Sequence, residues 1–88
     1  MLEHFRLQVF HTLAKERSFS RTGKLLYLTQ PAISHQIQVL EDYLGTRLFE
    51  RKKGEVCLTS SGKILLKYSE QILNLYEQAE KEDRKSVV

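Results

Sequence analysis

Apolar residues recur along this chain at helical spacing in several stretches, and one stretch near the middle alternates instead. Over residues 2–16, Leu2, Phe5, Val9, Phe10 and Leu13 share a stripe while Glu3, Gln8 and Lys15 point away, which predicts a core helix. Phe5 and Phe10 are read as packing residues, since aromatics at that spacing in a small chain serve the core. Ser18-Phe19-Ser20 breaks the stripe, and Ser20 is placed to cap a short second helix over 21–27 that buries Leu25 and Leu26. Gly23 inside that helix costs about 1 kcal/mol relative to Ala; a close approach to a neighbouring helix or simple tolerance would account for it.

The stretch over 29–44 predicts a third helix whose two faces differ. Ile33, Ile37, Leu40 and Leu44 make one face apolar. Gln30, Ser34, His35, Gln36 and Gln38 make the other a run of short or amide hydrogen-bonding groups, where a solvated face would carry Lys and Glu. Thr29 can cap its first turn, Pro31 falls where a missing N–H costs nothing, and Gly45 can close the helix in the left-handed conformation. A rod of about 22 Å follows from roughly 1.5 Å per residue, a size suited to a DNA major groove about 12 Å wide.

After Gly45 the period changes. Residues 47–51 predict a strand, 52–55 a turn and 56–58 the return strand, with Arg51, Lys52 and Lys53 gathered at the tip of the hairpin. Such a tip suits a phosphate backbone or a minor groove. Cys57, between inward-facing strand residues, reads as a small half-buried side chain. Thr59 caps a last helix running from residue 60 to the mid-80s. On it Leu65, Tyr68, Ile72, Leu75 and Ala79 step by three and four, the seam of a coiled-coil contact. Ile64, Leu66, Leu73 and Tyr76 lie off that seam. One face cannot bury them all, so the helix is expected to pack on its own domain early and on a second copy of itself further along.

Charge sharpens this picture. The net charge is +3, but residues 1–63 carry ten basic and six acidic side chains and residues 64–88 carry four and five. The first part therefore has the sign expected for a polyanion partner. At 88 residues the chain buries only about 60–65% of its unfolded surface, and a partner subunit would help it. One cysteine excludes an internal disulfide, and no Cys and His spacing suits zinc. His4, His11 and His35 stand beside no nucleophile or paired carboxylates, and no glycine-rich phosphate loop occurs. An enzyme, a cofactor or a metal is therefore not expected. No apolar run has the length of a membrane span or a secretory signal, so the expected location is the cytoplasm.

Taken in order, Phe19-Ser20, Leu28-Thr29-Gln30-Pro31-Ala32-Ile33-Ser34, Leu40-Glu41, Leu44-Gly45, Leu48-Phe49-Glu50-Arg51 and Leu58-Thr59-Ser60-Ser61-Gly62 resemble the N-terminal DNA-binding domain of LysR-type transcriptional regulators. The resemblance covers essentially the whole chain. It implies a mainly α fold: a winged helix-turn-helix of three helices plus a two-stranded wing over 1–58, followed by a long linker and dimerisation helix over 59–88. It further implies a homodimer on an inverted repeat in a promoter. The helix over 29–44 would enter the major groove, with Gln30, Pro31, Ser34 and His35 at bases. Thr29, Arg21, Lys24, Gln36, Gln38 and the wing over 51–55, through Arg51, Lys52 and Lys53, would take backbone or minor groove. Leu65, Tyr68, Ile72, Leu75, Tyr76 and Ala79 would form the dimer interface.

Members normally continue into a larger effector-sensing domain, which nothing here can be, so the sequence reads as an excised or truncated DNA-binding part. Two departures stand out. Thr22 and Gly23 replace a frequent Ala pair, and His35 stands where many members carry Arg. A reading face without Lys or Arg, led by Gln30 and Gln36, predicts A·T-rich half-sites, because Gln pairs well with adenine and Arg with guanine. The competing readings are the winged domain of a molybdate-type regulator and a winged helix used for protein contact.

Overall fold

Caps and closing residues decide where each element starts and stops. The computed structural model describes residues 3–86, with side chains for residues 3–83. The order is α1 (His4–Glu16), α2 (Phe19–Leu26), α3 (Gln30–Leu44), β1 (Phe49–Lys52), β2 (Glu55–Leu58) and α4 (Ser60–Ser86). Leu2, expected at the start of the first stripe, lies outside the described residues. Helix α1 stops at Arg17, in the left-handed region with φ 53°, whose N–H bonds the Leu13 carbonyl.

Helix α2 begins two residues earlier than its sequence predicts. Ser18, not Ser20, is the cap, and its hydroxyl accepts the Arg21 N–H at 3.1 Å. This shift lets Phe19 pack on the core. On α2 Thr22 is fully buried and Leu26, one turn on, is half-buried against the core, while Leu25 is 58% exposed. Thr22 tolerates full burial because its hydroxyl donates to the Ser18 carbonyl at 2.7 Å. Close approach, not tolerance, explains Gly23: a Cβ there would lie 2.5 Å from the Leu28 carbonyl oxygen. Tyr27 then turns the chain with φ 57°.

The core joins Val9, Phe10, Leu13 and Ala14 of α1 to Ile33, Ile37 and Leu40 of α3 and to Leu48, Phe49 and Val56 around the wing. Phe5 is not part of it. It is 44% exposed, while Leu7, about 160° further round the helix at 3.6 residues per turn, is buried in its place. Leu44, at the solvent end of α3, is also partly open at 40%.

The wing is an antiparallel pair in which Phe49 faces Leu58 and Lys52 faces Glu55. Lys53 and Gly54 form its turn, both with positive φ (53° and 79°), as a type I′ hairpin requires. The first strand starts at Phe49 rather than residue 47 because Glu41 reaches across from α3. One carboxylate oxygen accepts the amides of Leu48 at 2.7 Å and Phe49 at 3.3 Å. Both N–H groups are thereby satisfied outside the ladder.

Helix α4 is fastened at its start. The Thr59 hydroxyl accepts the Gly62 amide at 3.0 Å and donates to the Arg47 carbonyl. The hydroxyl of Thr46 donates to that of Ser61 at 3.1 Å. Leu65 and Leu66 pack on the core, and buried Ser69 donates back to the Leu66 carbonyl. Further on, α4 runs antiparallel to α1: Lys15 pairs with Glu70 at 2.6 Å, His11 lies 3.6 Å from the same oxygen, and His4 stacks on Tyr76 at 3.8 Å. The hydrogen bond and charge of Lys15, reinforced by His11 against partial desolvation, hold the Glu70 carboxyl below its ordinary range. Its stabilising effect is present above the ordinary carboxylate pKa and is lost as pH falls through the lowered one. The end of α4 projects from the rest, giving extents of 52 × 26 × 19 Å. Among the described residues no helix is long and apolar enough to cross a membrane.

Candidate nucleic-acid interface

Helix α3 splits as its sequence predicts. Ile33 and Leu40 are fully buried and Ile37 nearly so, while Gln30, Pro31, Ser34, His35 and Gln38 are exposed on the other side. The Thr29 hydroxyl accepts the Ala32 amide at 3.3 Å, Pro31 sits in the first turn, and Gly45 closes the helix with φ 71°. Gln38 donates to Asp42 one turn on, at 2.9 Å. The exposed side is thus a polar face held at both ends.

Gln36 stands apart from these residues. It is half-buried, and its amide oxygen accepts from Arg6 Nε at 3.0 Å, so its acceptor is committed to α1. Of the two amides expected to read adenine, only Gln30 lies exposed on the reading side. Arg21 and Lys24 are exposed on α2, and Lys24 borders a shallow depression with Tyr27, Thr29 and Gln30.

The wing carries Arg51, Lys52 and Lys53 in exposed positions. Arg51 is steadied by the Phe19 ring, 5.1 Å from its guanidinium carbon, and Lys52 lies 3.5 Å from Glu50. Between α3 and the wing runs a narrow cleft of about 150 Å³, bordered by Ser34 and Gln38 on one side and by Arg47, Glu50 and Arg51 on the other. The cleft shows that reading face and wing share one surface. Sequence reasoning assigned no role to Arg47 because it lies outside both the third helix and the tip. Its signal was its place in the Leu44-Gly45-Thr46-Arg47-Leu48-Phe49 segment, directly between those two elements.

On α4 the exposed apolar row is Ile64, Tyr68, Ile72, Leu75 and Ala79, with Tyr76 beside it. Leu65, expected in that row, is half-buried against the core of its own domain, and Ile64, 61% exposed, stands at the start of the row instead. Only this first position changes, because the start of α4 turns Leu65 and Leu66 onto the domain core. His4 and His11 border one depression between α1 and α4 while His35 lies on α3, and among the described residues no three His, Cys, Asp or Glu side chains are grouped to hold a metal.

A family model described as "Bacterial regulatory helix-turn-helix protein, lysR family" matches residues 5–63, from α1 through the start of α4. The chain belongs to the LysR family. A probable RuBisCO transcriptional regulator from Emiliania huxleyi is 47% identical over 73 residues, 83% of this chain and 23% of that protein. Two solved relatives extend the match to the whole fold. A complex of the BenM DNA-binding domain with benA site 1 DNA aligns with TM-score 0.92 at 30% identity, over 98% of this chain and 97% of that one. A CbnR DNA-binding domain–DNA complex gives 0.90 at 30% identity, over 99% and 100%.

The chain is therefore a LysR-type helix-turn-helix DNA-binding domain with a two-stranded wing, from a family of transcriptional regulators rather than enzymes. The family match favours this reading over the molybdate-type and protein-contact alternatives. This LysR domain spans about a quarter of the length of the curated relatives it matches.

Proposed function

We propose that this LysR domain binds an inverted-repeat promoter site as a homodimer in the cytoplasm, with α3 in the major groove and the wing on the backbone or minor groove. The observation that carries the proposal is the surface shared by α3 and the wing: Gln30, Pro31, Ser34 and His35 stand exposed on α3, and Ser34 and Gln38 border the same cleft as Arg51 of the hairpin. The solved BenM and CbnR domains that carry DNA have this fold over nearly their full length, which supports the same use here. Gln30, Pro31, Ser34 and His35 meet base edges. Thr29, Arg21, Lys24, Gln38, Arg51, Lys52 and Lys53 take phosphates or the minor groove. Gln36 serves instead to seat α3 on α1 through Arg6. The row from Tyr68 through Ile72, Leu75, Tyr76 and Ala79, extended by Ile64, pairs the two copies. A small-molecule effector acts through a domain outside this chain.

These roles separate experimentally. Fluorescence anisotropy of a labelled duplex across a salt series is expected to show Lys52→Ala with Lys53→Ala weakening all sequences alike and lowering the salt slope by about 0.9 for each phosphate that is no longer neutralised. Gln30→Ala is expected to keep the slope and lose about 1–3 kcal/mol of discrimination at one base pair per half-site. Altered preference with an intact slope in the lysine variant would reverse the assignment.

A further inference from the structure

We infer that the cleft between α3 and the wing seats the DNA strand that divides the major from the minor groove, and that Arg47 grips a phosphate of it. The inference rests on the placement of α3 and wing proposed above. A helix in the major groove and a hairpin in the adjacent minor groove straddle one sugar-phosphate ridge, and the cleft is the space left for it. Its floor is apolar, with Ile37, Phe49 and Val56, and its polar rim is Ser34, Gln38, Glu41, Arg47, Glu50 and Arg51.

Two carboxylates on that rim would repel a phosphate, and both are engaged. Glu41 receives the Leu48 and Phe49 amides, and Glu50 is paired with Lys52. Arg51, on the wing side, is drawn toward the Phe19 ring of α2. Arg47 is exposed, and its backbone is fixed on both flanks: its carbonyl accepts from Thr59, the next amide is held by Glu41, and the preceding Thr46 is bonded to Ser61. A planar guanidinium on so rigid a base suits bidentate contact with phosphate oxygens. It supplies beside Gln38 the cation that the reading face itself lacks.

The test uses the 88-residue chain and duplexes carrying a single uncharged methylphosphonate at successive positions along a half-site, read by anisotropy at several salt concentrations. The wild type is expected to lose roughly ten-fold in affinity when the phosphate on the ridge is neutralised. Arg47→Ala and Arg47→Gln are expected to bind the unmodified duplex about ten-fold more weakly, with a salt slope lower by about 0.9 and no additional weakening at that same position. Arg47→Lys should recover part of the affinity, and base preference and unfolding midpoint should be unchanged. Wild-type affinity and slope in Arg47→Ala, or undiminished sensitivity to the same methylphosphonate, would overturn the role of Arg47 while leaving the placement of α3 and wing intact. A wild type insensitive to every methylphosphonate and to salt would remove both.

Discussion

Replacing Ile72 by Asp is expected to leave a folded monomer that binds an inverted repeat at least 10²-fold more weakly while its affinity for an isolated half-site stays the same. Ile72 is 40% exposed at the centre of the row formed by Ile64, Tyr68, Leu75 and Ala79, and it is outside the domain core. If this row pairs the two copies as proposed, an acid there removes about 1.5–3 kcal/mol of burial from each copy and brings two like charges into the pairing surface. Tethering two reading heads raises avidity by about 10² to 10⁴ over one head, and that factor is what the variant forfeits. Sedimentation equilibrium and anisotropy on full and half sites check it. A persisting dimer would move the pairing surface off this face of α4.

Gly62→Val is expected to cost about 2–4 kcal/mol, a large share of the roughly 4–13 kcal/mol that a chain of this size holds. A Cβ at Gly62 would press into the Leu48 carbonyl oxygen and come within 2.8 Å of Leu58 Cδ2. The carbonyl cannot simply swing away. It accepts the Thr59 amide at 3.0 Å, its residue is 1% exposed, and the Leu48 amide is bound to Glu41. Relieving the overlap means releasing the cap of α4 or the base of the wing. The Leu-Thr-x-x-Gly segment is thus a packing requirement between α4 and the loop before the wing. A urea melt with an unchanged midpoint would show that this loop yields freely.

Much of the fold was legible because it is written locally. Thr29, Pro31 and Gly45 bound α3 through interactions within four residues, and Ile33, Ile37 and Leu40 fix its inner face by spacing alone. The errors lie where distant groups decide. Glu41 satisfies amides seven and eight residues away and so delays β1 to Phe49. Thr22 is buried in preference to Leu25 because a backbone carbonyl one turn earlier satisfies its hydroxyl. Phe5 is left open while Leu7 is buried because α1 is covered by α2, α3 and α4 at angles that periodicity does not specify. In the interface the exposed amides were legible, but the diversion of Gln36 to Arg6, thirty residues away, was not. Arg47 drew no assignment for a related reason: the cleft it borders forms only when α3 and the wing come together.

Selection of binding sites from a random duplex pool, run in parallel with the wild-type chain and with Gln30→Ala, addresses the reading face most directly. Inverted pairs of A·T-rich half-sites for the wild type, with one position per half-site relaxed in the variant, are the expected outcome. Enrichment of G·C-rich or unpaired sites, identical for both proteins, would contradict base reading by this face of α3.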